Sequence, residues 1–177
     1  SDGGLTLSGG EALAQFEFTS ALLTEAKKLG IHTCIETSGF LQQKYLKEIL
    51  SVTDLFLFDY KATDDELHQE LTGVSNKMIL ENLDYLYQQG ANIILRCPLI
   101  PGVNDSEKHL RGIALVAEKY PNLKGIEIMA YHNLGVEKNI RLGREANYQE
   151  IDNTDQEQKE KWLEALKKYG CKKVKIG

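Results

Sequence analysis

Within the first forty residues, two short apolar runs each end in a turn of glycine and acid. Gly4-Leu5-Thr6-Leu7 leads into Ser8-Gly9-Gly10-Glu11, and Ile31-His32-Thr33-Cys34-Ile35 leads into Glu36-Thr37-Ser38-Gly39. An amphipathic stretch long enough for a helix separates them. Strands joined through a helix run parallel, with a right-handed crossover. Both turns then lie at the carboxyl edge of one sheet, where open α/β sheets and barrels bind their ligands. The glycines leave room for a ligand against the backbone, and the acids supply charged acceptors.

The same alternation continues along the chain. Residues 11–29 carry Leu13, Phe16, Leu22, Leu23, Ala26 and Leu29 near helical spacing, with Lys27 and Lys28 in the last turn and Gly30 as the stop. Residues 42–50 read as a short helix, and residues 55–58 as a strand covered on both faces. Thr63-Asp64-Asp65-Glu66 opens a helix with a capping-box pattern. Residues 75–89 read as helix, 91–99 as strand, and Pro101-Gly102 turns the chain. Asp105 or Ser106 caps a helix through Tyr120, and residues 125–130 form the next strand. Thr154-Asp155-Gln156-Glu157 starts the helix carrying Trp162, Leu163 and Leu166, and residues 172–176 read as a short edge strand. Five main strands in βαβ units predict an α/β fold with a parallel sheet. A complete eight-unit barrel needs about 250 residues, more than are present, so the sheet is expected to stay open.

A net charge of −5 argues against nucleic acid as an electrostatic partner. No apolar run approaches a membrane span and no secretory signal is seen, so a cytoplasmic location without a membrane partner is expected. Cys34, Cys97 and Cys171 are too widely spaced for a disulfide framework or a metal knuckle. They read as small buried hydrophobes.

Several positions carry chemistry, each with two readings. Ser8-Gly9-Gly10-Glu11 either forms a plain turn with Glu11 as a helix cap, or seats an amino acid. In the second case helix-start N–H groups take the carboxylate, and Glu11 or nearby carbonyls take the ammonium. Glu36 and Thr37 read as a strand-end acid and a turn residue, or as ligand contacts. Asp59 and Lys61 share one strand face by period two. They make a strand-end ion pair or converge on the barrel mouth. Arg96, inside Ile93-Ile94-Leu95-Arg96-Cys97, must find a partner or reach a cavity. His132 follows a strand as a surface residue or a ligand contact; His32, His68 and His109 read as structural or exposed. Asn104-Asp105 reads as helix capping. Residues 133–153, with Lys138, Arg141 and Arg144, read as a polar loop that touches a protein partner or simply crosses in solvent.

With these motifs, and with Asp59-Tyr60-Lys61, Val74-Ser75-Asn76, Arg96, Pro101-Gly102 and Tyr131-His132, the chain resembles the radical S-adenosylmethionine activases of glycyl radical enzymes, the pyruvate formate-lyase activases above all. The family's Cys-x3-Cys-x2-Cys motif is absent, so the chain resembles the carboxyl-terminal two-thirds of such an enzyme. The resemblance implies an open partial β/α barrel lacking its first strand, with residues 1–177 as one domain. It places Ser8, Gly9, Gly10, Glu11, Glu36, Thr37, Arg96 and His132 around S-adenosylmethionine. It gives Asp59 a monovalent cation, and Lys61 the backbone of the partner's loop. Glu36 stands where the family often has Asp, and Ala130 where it has Pro before Tyr-His.

The implied reaction is reductive cleavage of S-adenosylmethionine to a 5′-deoxyadenosyl radical, which takes hydrogen from a glycine of a pyruvate formate-lyase-type partner. No side chain serves as acid or base. The intact family uses a [4Fe-4S] cluster, not expected on this chain, and electrons from reduced flavodoxin or ferredoxin. Two alternatives stand beside it: an activase for a different glycyl radical enzyme, and a non-catalytic binding remnant of the fold.

Overall fold

A computed structural model describes residues 3–133 and 150–177. Its strands are β1 (Gly4–Leu7), β2 (His32–Thr37), β3 (Leu55–Asp59), β4 (Ile93–Leu99), β5 (Gly125–Ala130) and β6 (Val174–Ile176). They form one sheet in chain order, with every adjacent pair parallel. Each strand adds on the same side of the last, so right-handed crossovers carry the helices to a single face. The sheet is open rather than closed: among the described residues β1 and β6 pair on one side only. The edge strand read from residues 172–176 is β6, beside β5.

The helices are α1 (Phe16–Lys28), α2 (Gln43–Ile49), α3 (Asp65–Thr72), α4 (Lys77–Gln88), α5 (Glu107–Lys119) and α6 (Gln156–Lys168). Alternate strand residues meet them. Ile35, Phe56, Phe58, Leu95, Cys97, Ile126 and Ile128 pack with Leu23, Leu83, Leu86, Ile113 and Leu166 in one buried core. Each large side chain buried there contributes about 1.5–3 kcal/mol. The residues between them face away from the helices, onto the open side of the sheet. None of the helices among the described residues is long and apolar enough to cross a membrane.

Several local readings shift by a residue or more, each for a capping reason. The first helix begins as a 3₁₀ turn, Ala12–Gln15, because Glu11 caps it through Leu13 N. α3 is capped by Asp64 rather than Thr63, and α6 by Asp155 rather than Thr154. α4 begins at Lys77, not Ser75, since the Ser75 hydroxyl and the Asn76 N–H both donate to Asp65 Oδ1. Of the two candidates before α5, Ser106 is the cap, taking His109 N. Asp105 instead accepts from Gly102 N and Trp162 Nε1.

Candidate functional site at the carboxyl edge of the sheet

β1 ends at Leu7, and Ser8, Gly9 and Gly10 turn the chain above the strand ends. Gly9 has φ +146°, in the region that favours glycine. A Cβ added at Gly9 or Gly10 would meet no atom within 4 Å. The turn is therefore open on top, beside a cleft of about 260 Å³ that Phe18 and Thr19 help to line. Glu11 is fully engaged. Oε1 accepts from Leu13 N at 3.2 Å and Thr37 Oγ1 at 2.9 Å. Oε2 accepts from Ser38 N at 2.9 Å and Ser38 Oγ at 2.7 Å. The carboxylate thus clasps the loop after β1 to the loop after β2. It both caps, as one reading had it, and joins two motifs 26 residues apart. Gly39 follows with φ +73°, its Cα facing the Phe58 ring so closely that a Cβ would lie 2.2 Å from it.

The open face of the sheet carries a row of charges. Register sets Asp59 beside Arg96, Arg96 beside Glu127, and Glu127 beside Lys175, across β3 to β6. Arg96 finds two partners, Glu36 Oε1 at 3.0 Å and Glu127 Oε2 at 3.2 Å. Lys175 completes the row on Glu127 Oε1 at 3.0 Å. Arg96 is half-buried and Glu127 buried, so these pairs are screened less than surface ones. Glu127 and Lys175 escaped the reading of the sequence. The signal for Glu127 was available, since it interrupts an apolar strand just as Arg96 does.

Lys61 lies just past β3, and its amine reaches back to Asp59 Oδ2 at 2.8 Å, so the ion pair forms at the mouth. His132 is exposed after β5 and lines a cleft of about 410 Å³ with Met129, Thr154, Lys159 and Ile176. Thr154 Oγ1 is buried there, without a hydrogen-bond partner among the described residues. Tyr131 N donates to Leu99 O, and Thr154 N to Tyr131 O, which ties the chain before α6 to β4. Lys138, Arg141 and Arg144 lie outside the described residues. A larger hollow of about 430 Å³ opens near Pro121, Leu123 and Tyr169, with none of these site residues in its lining.

The histidines expected to be structural or exposed divide three ways. His32 is exposed, His68 is buried against Val74 O, and His109 is buried against Thr63. Asn104 is buried too, and bonds across loops rather than capping α5.

The cysteines are all buried. Cys34 lies on the open face in register with Thr6, and burial pushes its thiol up despite a bond to the Thr6 side chain. Cys97 faces the helices, where burial raises it well above its ordinary value. Cys171 follows α6, and burial raises it to about 11. Among the described residues no group of three or more His, Cys, Asp or Glu is placed to hold a metal ion. These residues do not fit an iron–sulfur cluster, which needs converging thiolates. They do fit an amino acid moiety: an open glycine turn, with a Glu–Arg pair beside it on the same edge.

Comparison with known proteins supplies the family. Residues 2–112 match the radical SAM superfamily. The chain belongs to that family. It is 45% identical over 148 residues to the choline trimethylamine-lyase activating enzyme of Oleidesulfovibrio alaskensis, covering 82% of this chain and 48% of that one. It is 36% identical over 174 residues to pyruvate formate-lyase 1-activating enzyme of Escherichia coli K12, covering 97% of this chain and 71% of that one. The radical SAM chain therefore spans about half the first relative's length and more of the second's. A solved domain of a pyruvate-formate lyase-activating enzyme from Bacteroides vulgatus superposes with TM-score 0.80 at 27% identity, covering 99% of both chains. The relatives are glycyl radical enzyme activating enzymes, as the motifs implied.

Proposed function

We propose that this chain forms the S-adenosylmethionine- and partner-binding part of a glycyl radical enzyme activase. The observation that carries it is the junction of two turns at one sheet edge, with Gly9 and Gly10 open above it and the Glu36–Arg96 pair beside it. Bound S-adenosylmethionine supplies the hydrogen-abstracting chemistry, and this chain binds, orients and shelters it.

Ser8, Gly9 and Gly10 would hold its methionyl carboxylate and ammonium. Glu11 has all its acceptor sites filled, so the turn's carbonyls would take the ammonium. Glu11 and Thr37 keep the two turns in register. Glu36 and Arg96 would fix the charge beneath the ligand, and His132 would border it from β5. Asp59, with one oxygen on Lys61, keeps the other for a monovalent cation. Lys61 meets the backbone of the partner's loop. No residue transfers a proton in this scheme, and no step is assigned to a cluster.

The partner is a glycyl radical enzyme, of the pyruvate formate-lyase type on the broader match and of a choline-lyase type on the closer but shorter one. Reduced flavodoxin or ferredoxin fits as electron donor to the intact enzyme.

Calorimetry with S-adenosylmethionine on wild type and Gly10→Val tests the site. The open space at Gly10 lets valine fold without a clash, so only ligand binding should suffer. Equal affinity in both proteins would remove the turn from the site.

A further inference from the structure

The turn that carries Lys61 is gripped from beneath by three buried polar side chains that the proposed chemistry does not use. Asn104, in the loop after β4, donates to Lys61 O and Pro98 O, both at 2.8 Å, and accepts from Ile100 N at 2.7 Å. Asn76, just before α4, donates to Ala62 O and Thr63 O, both at 3.3 Å. His109, on α5, receives Thr63 N at 3.1 Å and lies 2.8 Å from the Thr63 hydroxyl, both on Nδ1. The three are only 4%, 2% and 2% exposed for Asn76, Asn104 and His109.

Two more bonds complete the grip. Tyr60 N donates to Arg96 O at 2.7 Å, and the Tyr60 hydroxyl donates to Thr63 Oγ1 at 3.0 Å. The carbonyls of residues 61, 62 and 63, and the amides of residues 60 and 63, are all held by groups from other parts of the chain. A turn that merely joined a strand to a helix would run over the surface with its backbone bonded to water.

The packing carries the marks of a demand at this spot. A backbone N–H can only donate, so Nδ1 of His109 is an acceptor and the ring proton sits on Nε2. Nε2 is buried, with no hydrogen-bond partner among the described residues. Gly112, one turn along α5, brings the helix close: a Cβ there would lie 2.0 Å from Thr63 Oγ1.

We propose that Asn76, Asn104 and His109 form a positioning cage that sets the height and direction of the Lys61 amine at the mouth of the sheet. They are positioning residues, acting through the backbone of residues 60–63. With the Lys61 carbonyl pinned, its amine meets Asp59 at one fixed point and presents its remaining N–H groups outward to a peptide backbone. The assignment of that peptide rests on the activase reading above; the cage does not.

Reductive ¹³C-methylation of the lysines, read by NMR, tests the cage. The Lys61→Arg spectrum assigns the Lys61 signal, and Asp59→Asn gives its position when the amine is released. Asn104→Ala and His109→Phe should move the signal toward the released position and speed exchange of the Thr63 amide about tenfold or more. Leu166→Ala, a core truncation outside the cage, should lower the unfolding midpoint and change neither. If Asn104→Ala does not fold, Asn76→Ala gives the same comparison through the longer bonds. An unmoved Lys61 signal in the cage variants, or an equal movement in Leu166→Ala, would reduce the cage to ordinary stabilisation and overturn the proposal. These readouts need neither cofactor nor partner. A chain that fails to bind S-adenosylmethionine would overturn the activase reading and leave the cage result standing.

Discussion

Acidification from about pH 7.5 to about pH 4.5 should weaken the fold through His109 alone by about 2.5 kcal/mol. Burial lowers this imidazole from its ordinary 6.5 to about 4. At about pH 7.5 the ring is neutral in both the folded and unfolded chain, so it leaves stability unchanged there. Between that value and about 4, the unfolded chain takes up a proton that the folded chain refuses, and stability falls as pH falls. Near pH 4.5 the unfolded chain's extra protonation is worth about 2.5 kcal/mol, at about 1.36 kcal/mol per unit.

The His109→Asn variant isolates the effect, because its amide oxygen can stand in for Nδ1 but does not titrate. Urea unfolding of both proteins at the two pH values is the assay. The variant starts less stable, by about 1–3 kcal/mol for lost packing and geometry. Its further loss on acidification should be smaller than the wild type's by the full histidine contribution. Carboxylates common to both proteins cancel. Asp54, held at about 2 by its bonds to Lys27 and Thr33, loses its contribution only below its ordinary 3.8, beneath this window. Equal acid sensitivity in the two proteins would show that His109 is protonated in the fold at these pH values, and the acceptor role at Thr63 would fall with it.

Three other outcomes follow from the packing and the charges. Gly112→Ala should destabilise by about 1–3 kcal/mol, because a Cβ would lie 2.0 Å from the Thr63 hydroxyl, and a neutral result in thermal unfolding would mean that α5 stands further off. Arg96→Met should destabilise by about 2 kcal/mol, since it leaves Glu36 and Glu127 without their shared cation. A Glu36→Gln, Arg96→Met double variant should recover part of that loss, and additive losses in denaturant titrations would contradict the pairing. Anaerobic incubation of the protein with iron and sulfide should give no stoichiometric cluster absorbance, because among the described residues no three His, Cys, Asp or Glu side chains are grouped to hold a metal ion; a full signal would show that the thiols converge.

Local chemistry made much of the fold legible. Apolar runs of strand length alternate with helical spacing, and glycines at 30, 39 and 90 have positive φ where the chain turns. Those signals depend only on near neighbours, so strands and helices can be read within a few residues. Caps were harder: Asp64 took the place of Thr63, and Asp155 that of Thr154, because adjacent side chains compete for the same N–H groups. The ends of both glycine-and-acid turns were likewise legible, since a parallel sheet leaves them only one edge to occupy.

Partners were decided elsewhere. The sequence required that Arg96 find an acceptor, since a bare guanidinium in an apolar strand is costly. That the acceptors are Glu36 and Glu127 depends on the register of the four strands β2 to β5, joined by long crossovers, which no local pattern encodes. Glu11 looked like a cap and a candidate ammonium ligand. Its reach to Thr37 and Ser38 exists only because β1 and β2 pair side by side. Asn76, Asn104 and His109 looked like a motif residue, a capping residue and a structural histidine. They meet under Lys61 because α4, α5 and the loop after β4 pack onto one turn, and hydrogen bonds between distant residues are set by that packing rather than by spacing along the chain.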